Sequence, residues 1–301
     1  KDKYSIAVRR PDQEIELKVE DYKCIFGNHA FLKKPIIRGV VSFVDSLVVG
    51  TKCLMYSAEI AGDEEDEETA RKNEQLTEAE RSAKKAKEDK QFKWLLYITV
   101  AVSMVVSVAA FMFLPYVLAS LIRGAGASEF MVTVVEAFVK LALFMGYMFL
   151  ISRMKDIQRT FMYHGAEHKC INCVEHGLPL TVENVLKSSR LHKRCGTSFL
   201  FFVLFVSIIV CFFITVESPV LRVVLRIALI PLIAGISYEM IRLAGNSDNP
   251  VVELLSKPGL ALQNLTTKEP EDDMIEVAIK AVEEVFDWKE YLRENFGADV
   301  R

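Results

Sequence analysis

Residues 94–122, WLLYITVAVSMVVSVAAFMFLPYVLASLI, run without one charged side chain. A helix needs about 20 apolar residues to cross roughly 30 Å of hydrocarbon, and this window exceeds that. Lys93 and Arg123 bracket it, and Trp94 and Tyr116 suit the two interfaces. Residues 130–152 form a second such window, interrupted by Glu136 and Lys140, and 199–216 a third. A fourth, 219–243, carries Arg222 and Arg226 near its start and Glu239 and Arg242 near its end. Core helices of soluble proteins are rarely this long and this uniform. The pattern predicts a mainly α, polytopic membrane protein with four transmembrane helices. Charge in hydrocarbon needs a partner, and a Glu136–Arg226 bridge between helices is the expected solution here.

Orientation follows from lysine and arginine in the connections. The turn 123–129 holds one arginine and the turn 217–218 none, whereas 62–93 and 153–198 carry eight basic residues each. The short turns are therefore expected outside, with both termini and the long loops in the cytoplasm and no cleavable signal peptide at the amino terminus. Cytoplasmic loops imply that Cys24, Cys53, Cys170, Cys173 and Cys195 are thiols, with Cys211 in hydrocarbon.

The parts outside the spans are small. Within residues 1–22, Ile6 and Val8 alternate with polar residues, as do Ile15, Leu17 and Val19, about a Pro-Asp turn, which predicts a β-hairpin. Residues 35–61 are long enough to span, but Arg38, Ser42, Asp45 and Lys52 share one stripe and both flanks are basic. An interfacial or re-entrant helix fits them better. Residues 62–92 mix charges with no apolar stripe and read as a solvated linker or exposed helix. In the tail, 244–301, a first part suits the membrane surface, and EDDMIEVAIKAVEEVFDW reads as an amphipathic helix capped by Asp272 or Asp273. A net charge of −3 and a pI near 6.1 speak against nucleic acid as a partner.

Chemistry is concentrated in the loop 153–198 between the two predicted helix pairs, 93–152 and 199–243. Four of the chain's five histidines and three of its six cysteines lie there. His164-Gly-Ala-Glu167-His168 reads H-x-x-E-H, in which two histidines one turn apart can hold one Zn²⁺ with the glutamate as general base. At about 100° per residue, His168 lies about 40° and Glu175 about 20° from His164, while Cys170 and Cys173 point to the far side. The CxxC is thus a poor co-ligand. Further ligands are expected from Glu175, His192 or Glu239. Inverzincin peptidases recruit a distal glutamate in this manner, although only five residues here match them. Cys195 is a candidate nucleophile, activated by the following helix end and His192. The basic residues Lys169, Arg190 and Arg194 suit an anionic group such as a lipid phosphate.

The run YHGAEHKCIN…LTVENV…SRLHKRCGTSF resembles the YqhQ-like family of bacterial membrane proteins, uncharacterised and often described as predicted metal-dependent enzymes. AVRRPDQEI, PIIRGVVSFVDSLVVG and PGLALQNLTTKEPEDDMIEVAI carry the same resemblance, so it covers nearly the whole chain. Its matching loop positions are His164, Glu167, His168, Lys169, Glu175, His192, Arg194, Cys195, Gly196 and Thr197. Lys193 stands where that family usually has proline, and the family's Gly-rich stretch before the hairpin has no counterpart in these residues.

Two functions are expected from this reading. The first is a divalent-metal enzyme of the bacterial inner membrane, with zinc the expected metal, hydrolysing an anionic lipid or lipid-linked substrate. In it Glu167 and Cys195 are catalytic, Lys169, Arg190 and Arg194 bind substrate, and His164, His168, Glu175, His192 and Glu239 supply the metal ligands. The second is a non-enzymatic scaffold or assembly factor working with the protein-insertion machinery, with the metal site structural.

Overall fold

The computed structural model describes residues 3–27, 29–61, 94–95, 97–124, 126–214, 216, 218–247 and 249–297. The linker expected at 62–92 lies outside them. Two units divide the chain, Gly62–Phe144 and the remainder.

Strands β1 (Lys3–Arg9) and β2 (Ile15–Asp21) form the predicted antiparallel hairpin, with Lys3 opposite Asp21 and Arg9 opposite Ile15. A short turn at Ala30–Lys33 leads to α1 (Ile37–Ala61). Helix α2 (Tyr97–Gly124) contains one π turn, Ala109–Phe113. Pro115, two residues further on, has no N–H to donate, which is why the helical ladder loosens there. The turn into α3 (Glu129–Ile151) is closed by an Arg123–Glu129 ion pair, with Gly126 in the left-handed region at φ +87°. Then come α4 (Lys155–Glu175), α5 (Val182–Lys187), α6 (Gly196–Phe213), α7 (Pro219–Ala228), α8 (Ile230–Asn246), α9 (Pro250–Thr266), α10 (Asp272–Glu283) and α11 (Trp288–Phe296).

Among the described residues, four helices are long and apolar enough to cross a membrane, namely α1, α2, α3 and α6, and the bent pair α7–α8 passes the same test taken together. The four windows read from the sequence are thus all apolar enough to span, and α1 joins them. Residues 219–243 are not one straight helix: α7 and α8 meet at 41°, because Pro231 at the start of α8 cannot continue the hydrogen-bond ladder of α7. Helix α1, expected to be interfacial or re-entrant, passes the spanning test by length and composition, and both of its halves also contact protein. Gly39 packs against Gly235 and Tyr238 of α8. Asp45, buried, accepts from the Tyr22 hydroxyl and the Ile25 amide, and Tyr56 donates to Glu16 of the hairpin. Of the charged residues in the predicted spans, Glu136, Lys140, Arg222 and Arg226 are buried, whereas Glu239 is partly buried and Arg242 exposed.

Outside the apolar helices sits a small core of Ala166, Cys170, Cys173, Val185, Ile275 and Leu292, where α10 and α11 pack on α4 and α5. The hairpin docks on α10, with Arg9 donating to the Asp273 carbonyl at 2.7 Å and pairing with Glu276. Helix α10 itself starts after Glu271. Asp272 and Asp273 therefore lie in its first turn, where they favour the helix dipole and do not cap. Helix α9 is tied to α6 on one face by Gly259, Leu262, Gln263 and Thr266, and leaves Val251, Leu254 and Leu255 exposed.

Candidate metal centre

Helix α4 carries both histidines of the H-x-x-E-H run, and Gly165 between them decides what can lie above it. A methyl group at Gly165 would overlap the Lys268 carbonyl oxygen. Without it, the chain after α9 crosses directly over α4, and the Lys268 amide donates to the Phe161 carbonyl at 2.9 Å. That crossing brings the Thr266 carbonyl to His164 Nδ1, 3.0 Å away.

The loop 188–195 closes from the other side, drawn in by buried polar side chains. Lys169 donates to the Leu186 and Ser188 carbonyls at 2.8 and 3.0 Å, and Asn172 to those of Ser189 and Leu191 at 2.7 and 3.0 Å. Gln263 of α9, fully buried, brackets His192 by accepting from its amide at 2.9 Å and donating to its carbonyl at 2.7 Å. With the loop so held, the Arg190 carbonyl lies 2.7 Å from His168 Nδ1. Cys195 caps α6 through its sulfur, which accepts from the Thr197 amide at 3.4 Å, and the same sulfur is 3.2 Å from His164 Nε2.

A carbonyl oxygen can only accept a hydrogen bond, so each Nδ1 carries a proton and each neutral ring keeps its Nε2 lone pair free. This is the arrangement that orients metal-ligating histidines. The ligand atoms of His164, His168 and Cys195 all lie within 4.8 Å of one another. Tetrahedral zinc with bonds of about 2.0–2.3 Å places its ligand atoms roughly 3.3–3.8 Å apart, so side-chain adjustments of about 1 Å complete the set. The donor set fits a borderline-soft divalent ion.

The electrostatics agree with the geometry. Burial opposes ionisation of Cys195, but His164, His168 and the Thr197 amide outweigh it and pull the thiol down to about 5. Burial likewise opposes charge on His164, and Cys195 with the Thr266 carbonyl outweighs it, raising that imidazole. In metal-free protein the Cys195 thiolate is thus favoured beside His164, and a cation bound there displaces the proton they share. Burial pushes Cys170, in the core behind α4, up to about 12. In metal-free protein, thiolate absorbance measured as wild type minus Cys195→Ser is expected to titrate near pH 5. A midpoint near the ordinary thiol value of 9.0 would contradict the arrangement.

The other residues singled out in the sequence lie elsewhere. Glu175 pairs with His192 Nε2 at 3.2 Å and with Arg194, and burial keeps the His192 pKa low despite that carboxylate. The His192 ring stands 5.8 Å from that of His168, beside the cluster but outside it. Glu239 is engaged by Arg38, at 2.7 Å to Nε, and by the Ile36 amide, so it joins α8 to α1. Glu167 is exposed on α4 between the two histidines. Lys169 is occupied by carbonyls and Glu269, Arg190 by Thr267, Asn264 and Glu269, and Arg194 by Glu175; of the three, Arg194 is the most exposed. Cys170 and Cys173 face the core, as the helix angles predict. No sequence signal marks the parts played by Gln263 and Thr266, and only the glycine inside the motif hints at a close backbone crossing.

Fold and site together define a helical membrane protein with a largely buried His₂Cys cluster at the start of an apolar helix. The chain belongs to the family described as "Protein of unknown function (DUF1385)", whose model matches residues 34–288. It is 37% identical over 287 residues to the uncharacterized protein YqhQ of Bacillus subtilis (strain 168), covering 94% of this chain and 86% of that relative. No solved structure matches it.

Proposed function

We propose that the protein is a divalent-metal enzyme of the bacterial cytoplasmic membrane, with zinc the favoured ion and hydrolysis the favoured reaction. The convergence of His164 Nε2, His168 Nε2 and Cys195 Sγ, with both Nδ1 atoms fixed by carbonyls, carries this reading. Three protein ligands leave a tetrahedral ion one open position, as catalytic sites do and structural sites do not. An ion held there supplies Lewis acidity. Glu167, exposed beside His164, accepts the proton of the attacking water, and Arg194 attracts an anionic, membrane-resident substrate at the cytoplasmic face. The basic loops of the sequence support that topology.

One observation favours the alternative of a scaffold serving membrane-protein insertion. The carbonyls that orient the histidines come from the tail and from loop 188–195, so a metal there would also clamp three segments together.

Metal content of the detergent-purified protein, with His168→Ala beside it, tests both readings. About one equivalent of zinc is expected in the wild type, and its absence would remove the enzyme reading. Loss of metal from His168→Ala with the melting transition retained supports catalysis. Loss of both supports the clamp.

A further inference from the structure

The junction between the hairpin and α1 has features that the metal centre does not use. Ile36, a β-branched residue, is held in the left-handed region at φ +69°, a conformation that persists only where the surroundings impose it. Two groups impose it. The Glu239 carboxylate accepts the Ile36 amide, and Gly235 lets the Ile36 backbone lie directly on α8, where a methyl group would stand 2.6 Å from the Ile36 carbonyl oxygen. The strained turn opens a groove between the loop, α1 and α8, lined by Phe26, Leu32, Ile36, Val40, Pro231 and Leu232, with a volume of about 300 Å³. Its lining offers almost no polar surface, so a polar ligand would find no hydrogen-bond partner there. Its size accommodates a length of acyl chain and not a folded partner.

The rim carries the opposite character. Lys33 and Lys34, both exposed, lie in the chain between the groove residues Leu32 and Ile36, and neither pairs with a carboxylate among the described residues. Lys34 Nζ stands 5.7 Å from the centre of the Phe31 ring, which is 60% exposed, and Phe26 is also exposed. Exposed aromatics beside lysines are the combination that seats a segment at an anionic leaflet.

We propose that this groove is a binding site for an anionic phospholipid, with one acyl chain between α1 and α8 and the headgroup phosphate at Lys33 and Lys34. It is separate from the metal cluster and independent of the reaction assigned there. Arg38, the next basic residue along the chain, is engaged by Glu239, which leaves the two lysines as the phosphate ligands.

Photoactivatable phosphatidylglycerol, with a diazirine on the acyl chain, in phosphatidylcholine vesicles holding the full chain, tests the proposal. Phosphatidylcholine bearing the same diazirine is the comparison. The phosphatidylglycerol probe is expected to label residues 26–41 and 231–232 at least about five-fold more than the phosphatidylcholine probe, since one basic residue at an anionic leaflet is worth about that factor. Lys33→Glu with Lys34→Glu, exposed changes that leave the packing intact, is expected to abolish the excess and leave labelling of α2 unchanged. Equal labelling by the two probes, or an excess that survives the double substitution, would overturn the proposal.

Discussion

Gly165→Ala is expected to lift the tail off α4 and weaken metal binding about 10- to 100-fold, the loss typical when a group that orients a ligand is removed. The added methyl would overlap the Lys268 carbonyl oxygen, with the carbonyl carbon 3.2 Å away, and both are backbone atoms that cannot rotate aside. Relief requires the segment 266–268 to move. That movement breaks the Lys268–Phe161 hydrogen bond and withdraws the Thr266 carbonyl from His164. Overpacking of this kind costs about 1–3 kcal/mol, and each lost hydrogen bond adds about 1 kcal/mol. The opposing gain in helix propensity is at most about 1 kcal/mol, so destabilisation wins. Gly50→Ala in α1 is the control, because a methyl there meets nothing within 4 Å and only the propensity gain remains. Thermal unfolding of both variants, with hydrogen exchange at the Lys268 amide and a zinc titration, reads the difference. Equal melting temperatures and equal zinc affinity would show that the tail does not depend on the glycine.

Cys195→Ser is expected to lower zinc affinity by at least about 100-fold while leaving the fold in place. The separation is possible because Cys195 has two roles that serine divides. Its sulfur caps α6 by accepting from the Thr197 amide, and serine is among the best capping residues, so the helix start is retained. Its other role is ligation by a thiolate, which a hydroxyl cannot take over, since it stays protonated at neutral pH where the Cys195 thiol, held at about 5, is ionised. A competition titration for zinc, run beside a thermal melt, shows whether the two roles part. Unchanged affinity would place the ion away from Cys195.

Much of the architecture was legible in the sequence because its causes are local. Charge-free windows announce apolar helices wherever they lie, and alternation about Pro11 announces the hairpin. The angle of about 100° per residue was enough to put His164 and His168 on one face and send Cys170 and Cys173 to the other. The helix boundaries were less legible where proline intervenes. Residues 219–243 read as one span by hydropathy, yet the break before Pro231 makes two helices of it.

The site was only half legible, for a different reason. The sequence by itself determined that two histidines face one way on a helix outside the apolar spans, because their spacing matches the helical repeat. The structure decided which third group meets them. Glu175 has a suitable angle but is taken by Arg194 and His192, and Glu239 has a suitable place in the chain but is taken by Arg38. Cys195 reaches His164 because Gly165 admits the tail, Gln263 brackets His192, and Lys169 with Asn172 hold the loop. Those contacts join α4 to segments far along the chain, and no local periodicity records them. Spacing along a helix is set by backbone geometry alone, whereas convergence between distant segments depends on packing and on which charged groups pair in the folded chain.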